Sequence, residues 1–262
     1  MNPKRRSESA FIRWGACLVL AGLSSAYAGN SYNLAFSTYV GGTRSDWIRD
    51  VCVDYRGNII AVGGTQSPDF PTTPGAYCRT FHTGGRSLGS GGPCDVIVMK
   101  FSPAGQLLWS TFLGGPNYDR AYGVKADSQG YIYVAGRAGE GFPVTAGTPY
   151  QPSYGTGSGN YDGNAFMVII AADFKSLLYS SFVGQKSSIT GQNAYGGIHA
   201  SFLTPDGDWI VGGSWCSSGW PNENAYQGYI GGVSPNYADA ILARFVPSSS
   251  DQAPAAAGRS RE

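Results

Sequence analysis

Apolar and polar positions along the chain fall into short runs, and each run ends in turn chemistry. The clearest stretch is 95–137. DVIVMKF (95–101) leads into Ser-Pro-Ala-Gly, and QLLWSTFL (106–113) closes on Gly114-Gly115. AYGVKA (121–126) ends in Asp-Ser-Gln-Gly, and YIYVAG (131–136) completes the set. Short strands rich in Val, Ile, Tyr and Phe, divided by Gly, Pro and Asp, are the pattern of an antiparallel meander.

The same four-part unit recurs. The strand at 95 returns as NAFMVII (164–170) and DAILARF (239–245). The next is also found as FSTYVGG (36–42) and SSFVG (180–184), beside STFLGG (110–115). The last is found as GNIIAVGG (57–64), GYIYVAG (130–136) and GDWIVGG (207–213), with offsets of about 70–77 residues. One four-stranded sheet per repeat describes a propeller blade. The expected fold is therefore all-β and β-propeller-like, with three four-stranded antiparallel blades per chain. The long stretches 65–94, 137–163 and 214–238 are read as links between blades. The folded part opens on a strand of the second type (36–40) and ends on one of the first type (241–245). The N- and C-terminal strands are thus expected to pair and close one blade, which removes two open edges. Three blades are fewer than the usual four to eight, so a homodimer would complete a ring.

The run FSTYVGG followed by DVCVDYRGNIIAVGGTQSPDFPTTPGAY resembles the SBBP-type bacterial beta-propeller repeat. The second repeat keeps STFLGG, ADSQGYIYVAG and GFPVTAGTPYQ. The third departs: Thr204 stands where Asp54 and Asp127 stand, and Trp220-Pro221 replaces Phe-Pro. The resemblance implies an exported bacterial propeller. It implies little about activity, because such a family is defined by its repeat and not by a reaction.

Residues 1–28 read as a signal peptide. Lys4, Arg5, Arg6 and Arg13 precede or flank a short apolar run, and Ala26-Tyr27-Ala28 is a small-x-small cleavage site. Residues 29–246 are the repeat domain, and 247–262 lack the apolar content to fold. Removal of the leader takes away four basic residues and Glu8, moving the formal net charge from +1 to −2. A near-neutral product argues against nucleic acid and anionic membrane as partners. No later stretch is long and apolar enough to span a bilayer. The chain is expected to be secreted, outside the cell or at its surface, with the periplasm as the other compartment. Four cysteines remain, and an exported chain permits disulfides. Cys78 and Cys94 bracket a glycine-rich loop, where a bridge would add roughly 3 kcal/mol. The pairing of Cys52 and Cys216 stays open.

Aspartates and glycines at repeated positions read as fold: Asp54…Gly57 and Asp127…Gly130 suit tight hairpins, and Asp46 and Asp119 share one register. Asp95, Asn164 and Asp239 open equivalent strands and would sit near one another if those strands lined a central channel, where their oxygens could hold calcium. The oxygen spacing at 160–164 is a second calcium pattern, without a distal Glu. No cofactor is otherwise implied. Catalytic signals are thin: the chain has two histidines, His82 and His199, few glutamates and no convincing nucleophile elbow. Aromatic residues in the long loops are the better lead, with Trp215, Trp220, Tyr226 and Tyr229 in the third and Arg79 in the first. Aromatic groups with polar neighbours suit sugar faces and protein contacts. The expected function is a non-catalytic interaction module for an extracellular glycan or protein. The alternative is an exported propeller hydrolase or lyase acting on polysaccharide.

Overall fold

The computed structural model describes residues 32–85, 92–147, 149–155, 163–184, 196–216, 219–231 and 238–248. Residues 1–31, residues 249–262 and the calcium pattern's residues 160–162 lie outside them. The chain divides into two compact units, Met1–Ser37 and Thr38–Glu262. In the first, residues 32–37 are exposed and outside regular secondary structure. Among the described residues of the second are eleven strands and no helix.

Strands β1 (Asp46–Val53), β2 (Ile59–Thr65), β3 (Asp95–Phe101) and β4 (Leu107–Leu113) form one antiparallel sheet in that order. Strands β5 (Arg120–Ala126), β6 (Ile132–Ala138), β7 (Asn164–Ile170) and β8 (Leu177–Val183) form the second. The third has three strands, β9 (Gly196–Leu203), β10 (Trp209–Trp215) and β11 (Asp239–Phe245), with β11 at its edge. This is the propeller-like all-β architecture, in sheets of four, four and three strands.

The sheets begin at a different point of the repeat from the one expected. The break falls between β4 and β5, so the run 95–137 straddles two sheets. The long stretches after β2, β6 and β10 are not links between blades; each joins two neighbouring strands of one sheet, the two middle strands in the first and second sheets. Hydrogen bonding gives the reason. The loop after β2 folds back along the free edge of β4: Thr73 N donates to Ser110 O (3.1 Å), Ser110 N to Thr73 Oγ1 (3.1 Å), and Phe112 N to Cys78 O (3.0 Å). The loop after β6 repeats this on β8. Thr145 N donates to Ser180 O (3.2 Å), Ser180 N to Thr145 Oγ1 (3.0 Å), and Phe182 N to Gln151 O (3.2 Å). A long loop therefore clasps the fourth strand and satisfies backbone groups that an open edge would expose. Phe70 and Phe81 lean edge-on against Phe112 at 6.2 and 5.8 Å; against Phe182, Phe142 packs tilted at 6.3 Å and Tyr154 edge-on at 5.5 Å.

The hairpins follow the sequence. Asp54 Oδ1 accepts from the N–H groups of Arg56 and Asn58, and Asp127 Oδ1 from those of Gln129 and Tyr131, all at 2.9 Å. Thr204 does the same work through Oγ1, which accepts from Asp208 N at 3.0 Å. Gly57, Gly130 and Gly207 have φ of 81°, 90° and 90°, where a side chain would be strained.

One core lies between the first and second sheets, with Val98, Trp109, Val134 and Phe166 among its members. Another joins the second and third through Met167, Ile198, Trp209 and Trp215. A third covers the other face of the first sheet with Ile97, Met99, Phe101 and Phe112, against which Val40 packs. The sheets meet through their first strands: β5 packs on β1 and β2, and β9 on β5 and β6. Among the described strands, none of this closer packing joins the third sheet to the first. Among the described residues the terminal strands do not pair as expected: residues 36–40 are outside regular secondary structure, and β11 bonds only to β10. Gly42 and Thr43 are fixed to the first sheet by the carboxylates of Asp46 and Asp69 (N···O 2.9 Å each), while β11 belongs to the third.

Candidate functional site

The innermost strand of each sheet carries a β-bulge at the same place in the repeat. The register slips between Ile48 and Asp50 in β1, between Ala121 and Gly123 in β5, and between Ile198 and Ala200 in β9. A bulge leaves one residue out of the ladder and re-aims its side chain. The residues so released are Arg49, Tyr122 and His199. They come together in a row: the Arg49 guanidinium lies 5.9 Å from the Tyr122 ring centre, and the Tyr122 and His199 rings meet edge-on at 5.2 Å. Arg49 and His199 are exposed and Tyr122 is half-buried. Burial, reinforced by the positive charge of Arg137, holds the His199 imidazole below its ordinary pKa, so it is neutral at pH 7. Gly197 lets these two side chains approach, since a Cβ there would stand 3.3 Å from Arg137 Cβ and 3.4 Å from His199 Nε2.

Beside this row, Arg120 is clamped between Trp47 (4.2 Å) and Tyr118 (5.0 Å), with Cys94 Sγ at 4.0 Å. Two aromatic faces hold a buried guanidinium through cation–π attraction. Burial pushes the Cys94 thiol up to about 12 despite the nearby Arg120. The thiol is therefore protonated and a poor nucleophile.

At the joint between the first and second sheets, Asp119 is fully buried. Its two oxygens accept from Gly115 N (2.7 Å) and Gly139 N (2.9 Å). Asp46 repeats the latch by accepting from Gly42 N, Thr65 Oγ1 and Ser67 Oγ. Burial, with a smaller push from Asp95, lifts the Asp119 pKa well above the usual carboxylate range.

The residues singled out in the sequence take different places. Asp95, Asn164 and Asp239 open the third strands of three separate sheets and do not gather, because the strands that meet at the centre are β1, β5 and β9. Asp95 is buried beside Asp119 and accepts from His82 N at 3.0 Å, with His82 Nδ1 also at 3.0 Å. Burial raises its pKa to about 6, although His82 works against the shift. Asn164 is buried, and Asp239 accepts from Gly231 N (2.6 Å). Among the described residues, no group of three or more His, Cys, Asp or Glu side chains could hold a metal ion. Trp215 is not a surface group: it is 1% exposed, wedged against Gly184 and Gly196 and stacked on Trp220 at 5.5 Å. Tyr226 and Tyr229 are exposed, and Arg79 bonds Thr72 Oγ1 (3.4 Å) on the first clasp.

The expected Cys78–Cys94 disulfide is absent, and both side chains are thiols. The two side chains lie on opposite sides of the first sheet. Cys78 packs with Phe112 and Ile97 on its outer face, whereas Cys94 meets Arg120 from the second sheet. No Cβ geometry bridges a sheet in that way.

Sequence reasoning missed the Arg49–Tyr122–His199 row. Composition offers no signal for it, because the residues on either side of Arg49, Tyr122 and His199 differ between repeats as well.

The family model for the SBBP beta-propeller repeat matches residues 108–143, from within β4 through β5 and β6 to Phe142-Pro143. No curated protein matches the chain.

Proposed function

We propose that this chain, which carries the SBBP-type beta-propeller repeat, is an exported binding module whose contact site is the bulge row Arg49, Tyr122 and His199. The observation that carries this reading is the convergence of the three bulge residues. The bulges supply a cation, a phenol and an imidazole, all turned out of their ladders and placed side by side.

These groups suit a sugar chain bearing carboxylates. Tyr122 offers a ring face to the C–H face of a pyranose. Arg49 offers a planar fork to a carboxylate. Neutral His199 can donate and accept a hydrogen bond. A protein ligand with an exposed acidic side chain presents the same chemistry. The rival reading, a polysaccharide hydrolase or lyase, needs an acid–base pair that substrate can reach. Asp95 and Asp119, the carboxylates that meet at the sheet joint, are both fully buried, which favours binding over cleavage.

The test is a glycan array that includes uronate-containing chains, probed with the purified exported chain. A combined Arg49→Ala, Tyr122→Ala and His199→Ala variant should lose at least about tenfold in affinity, the factor for 1.4 kcal/mol, while its melting temperature is retained. Unchanged binding by that variant, or turnover of a bound polysaccharide, would overturn the proposal.

A further inference from the structure

We infer that the open edge of β11 and the outer face of the first sheet are two halves of one interface between two copies of this chain. Residues 36–40 of each copy become the fourth strand of the other's third sheet.

The missing strand is written in the sequence. FSTYVGG (36–42) aligns with WSTFLGG (109–115), which contains the end of β4, and with YSSFVG (179–184), which contains the end of β8. Both counterparts are fourth strands of a sheet. The segment from Val40 onward is also anchored as a fourth strand would be. Gly42 N donates to Asp46 as Gly115 N donates to Asp119, and Val40 packs on the core of Ile97, Met99 and Phe112. Leu113 and Val183, its equivalents, sit in the cores between successive sheets. Residues 40–42 thus mark where a sheet preceding the first must end. The chain's own third sheet packs on the second, through β9 on β5 and β6, and leaves this place to another sheet. The sheet that fits this place is the third sheet of another copy.

Exposure at repeat-equivalent positions agrees. Leu242 is 79% exposed, while Val98 and Met167, its equivalents in β3 and β7, are 0% and 2% exposed between sheets. Phe202 on the same face is 57% exposed. On the other half, Val51 is 54% exposed, whereas Val124, its equivalent in β5, is fully buried. On the first sheet the opening is confined to β1, where Val51 and Val53 are exposed, since Ile97, Met99 and Phe112 on the same face are already buried. The third loop carries a counterpart of the clasp residue: Gln227 occupies the repeat position of Gln151, whose backbone grips β8. Applied twice about a two-fold axis, the contact is self-complementary and closes six sheets, within the usual range for propellers.

The pairing has a defined register. Val98 faces Thr111, and Met167 faces Ser181, so Leu242 should face Thr38 of the other copy. Directly opposed residues lie within disulfide range. The experiment uses the exported full chain in two forms. Light scattering after size exclusion should give twice the chain mass for the natural sequence. The Thr38→Cys, Leu242→Cys double variant should run as a covalent dimer on a non-reducing gel, and neither single variant should do so. Leu242→Asp, a change at an exposed position, should keep its β-sheet circular dichroism and run as a monomer. A monomeric natural chain overturns the inference, and so does a cross-link within one chain. An assembly larger than two copies overturns the six-sheet closure. Loss of the bulge-row ligand has no bearing on these readouts, so the two proposals fail separately.

Discussion

In the second sheet, Thr145 and Gln151 hold β8 from outside; in the third, the residues at the same repeat positions, Glu223 and Gln227, have no strand to hold. Met167 and Leu242 are another such pair, one 2% and the other 79% exposed. Tyr150 and Tyr226 follow the same trend, at 38% and 106%. The repeat prepares the same apolar positions each time. Whether they become core depends on what stands next to them, so burial here belongs to the neighbour as much as to the residue.

The comparison can be broken most forcefully at the clasped aromatic. Phe182→Ala empties a site packed by Phe142 and Tyr154 and should cost about 3–5 kcal/mol, read as a shift in urea midpoint. Leu242→Ala, on the unclasped side, should cost less than about 0.5 kcal/mol in a monomer. A smaller loss is expected at the clasp itself. Thr145→Val removes the hydroxyl that bonds Ser180 N and O, a change of about 1–2 kcal/mol, whereas Glu223→Thr should leave stability unchanged. Equal losses on the two sides would show that the third sheet is clasped after all.

Acid sharpens the contrast between two buried aspartates. Burial opposes ionisation of Asp54, but Lys100 at 2.7 Å and Asn58 hold its pKa at about 2. Its folded pKa is below the unfolded value of about 3.9. The stability it contributes is present above pH 4 and is lost as pH falls toward 2. Asp95 has the opposite sign. With a folded pKa of about 6, its contribution is full below about pH 4 and declines as pH rises through 6. Asp95→Asn, which installs the residue found at position 164, should flatten the pH 4–6 limb of the melting-temperature profile and leave the limb below pH 4 in place. The smallest effect should come from Tyr226→Ala, an exposed side chain whose removal should move the melting temperature of a monomer by less than about two degrees.

The repeats, the hairpin aspartates and the strand positions were legible in the sequence because each rests on local chemistry. Asp-x-x-Gly turns and alternating aliphatic residues look the same in any sheet. The point where one sheet ends was not legible. A long loop and a short Gly114-Gly115 link differ only in length, and the hydrogen bonds that make the loop a clasp join residues some 35 positions apart. Arg49, Tyr122 and His199 were hidden for a related reason: a bulge shifts register without changing composition. Trp215 was read as a loop aromatic because its burial depends on Gly184 and Gly196, which are distant in the chain. The cysteine pair failed on the same ground, since proximity in sequence does not say which face of a sheet a side chain takes.

The half-period offset between sequence repeat and sheet bears on how such a chain can grow. The matched stretch 108–143 carries most of the closing strand of one sheet and the two opening strands of the next. A duplicated copy therefore delivers parts of two sheets and a whole sheet of neither. Each copy is useful only when another stands on either side, so lengthening the array by one unit always moves an unfinished edge and never creates a second one.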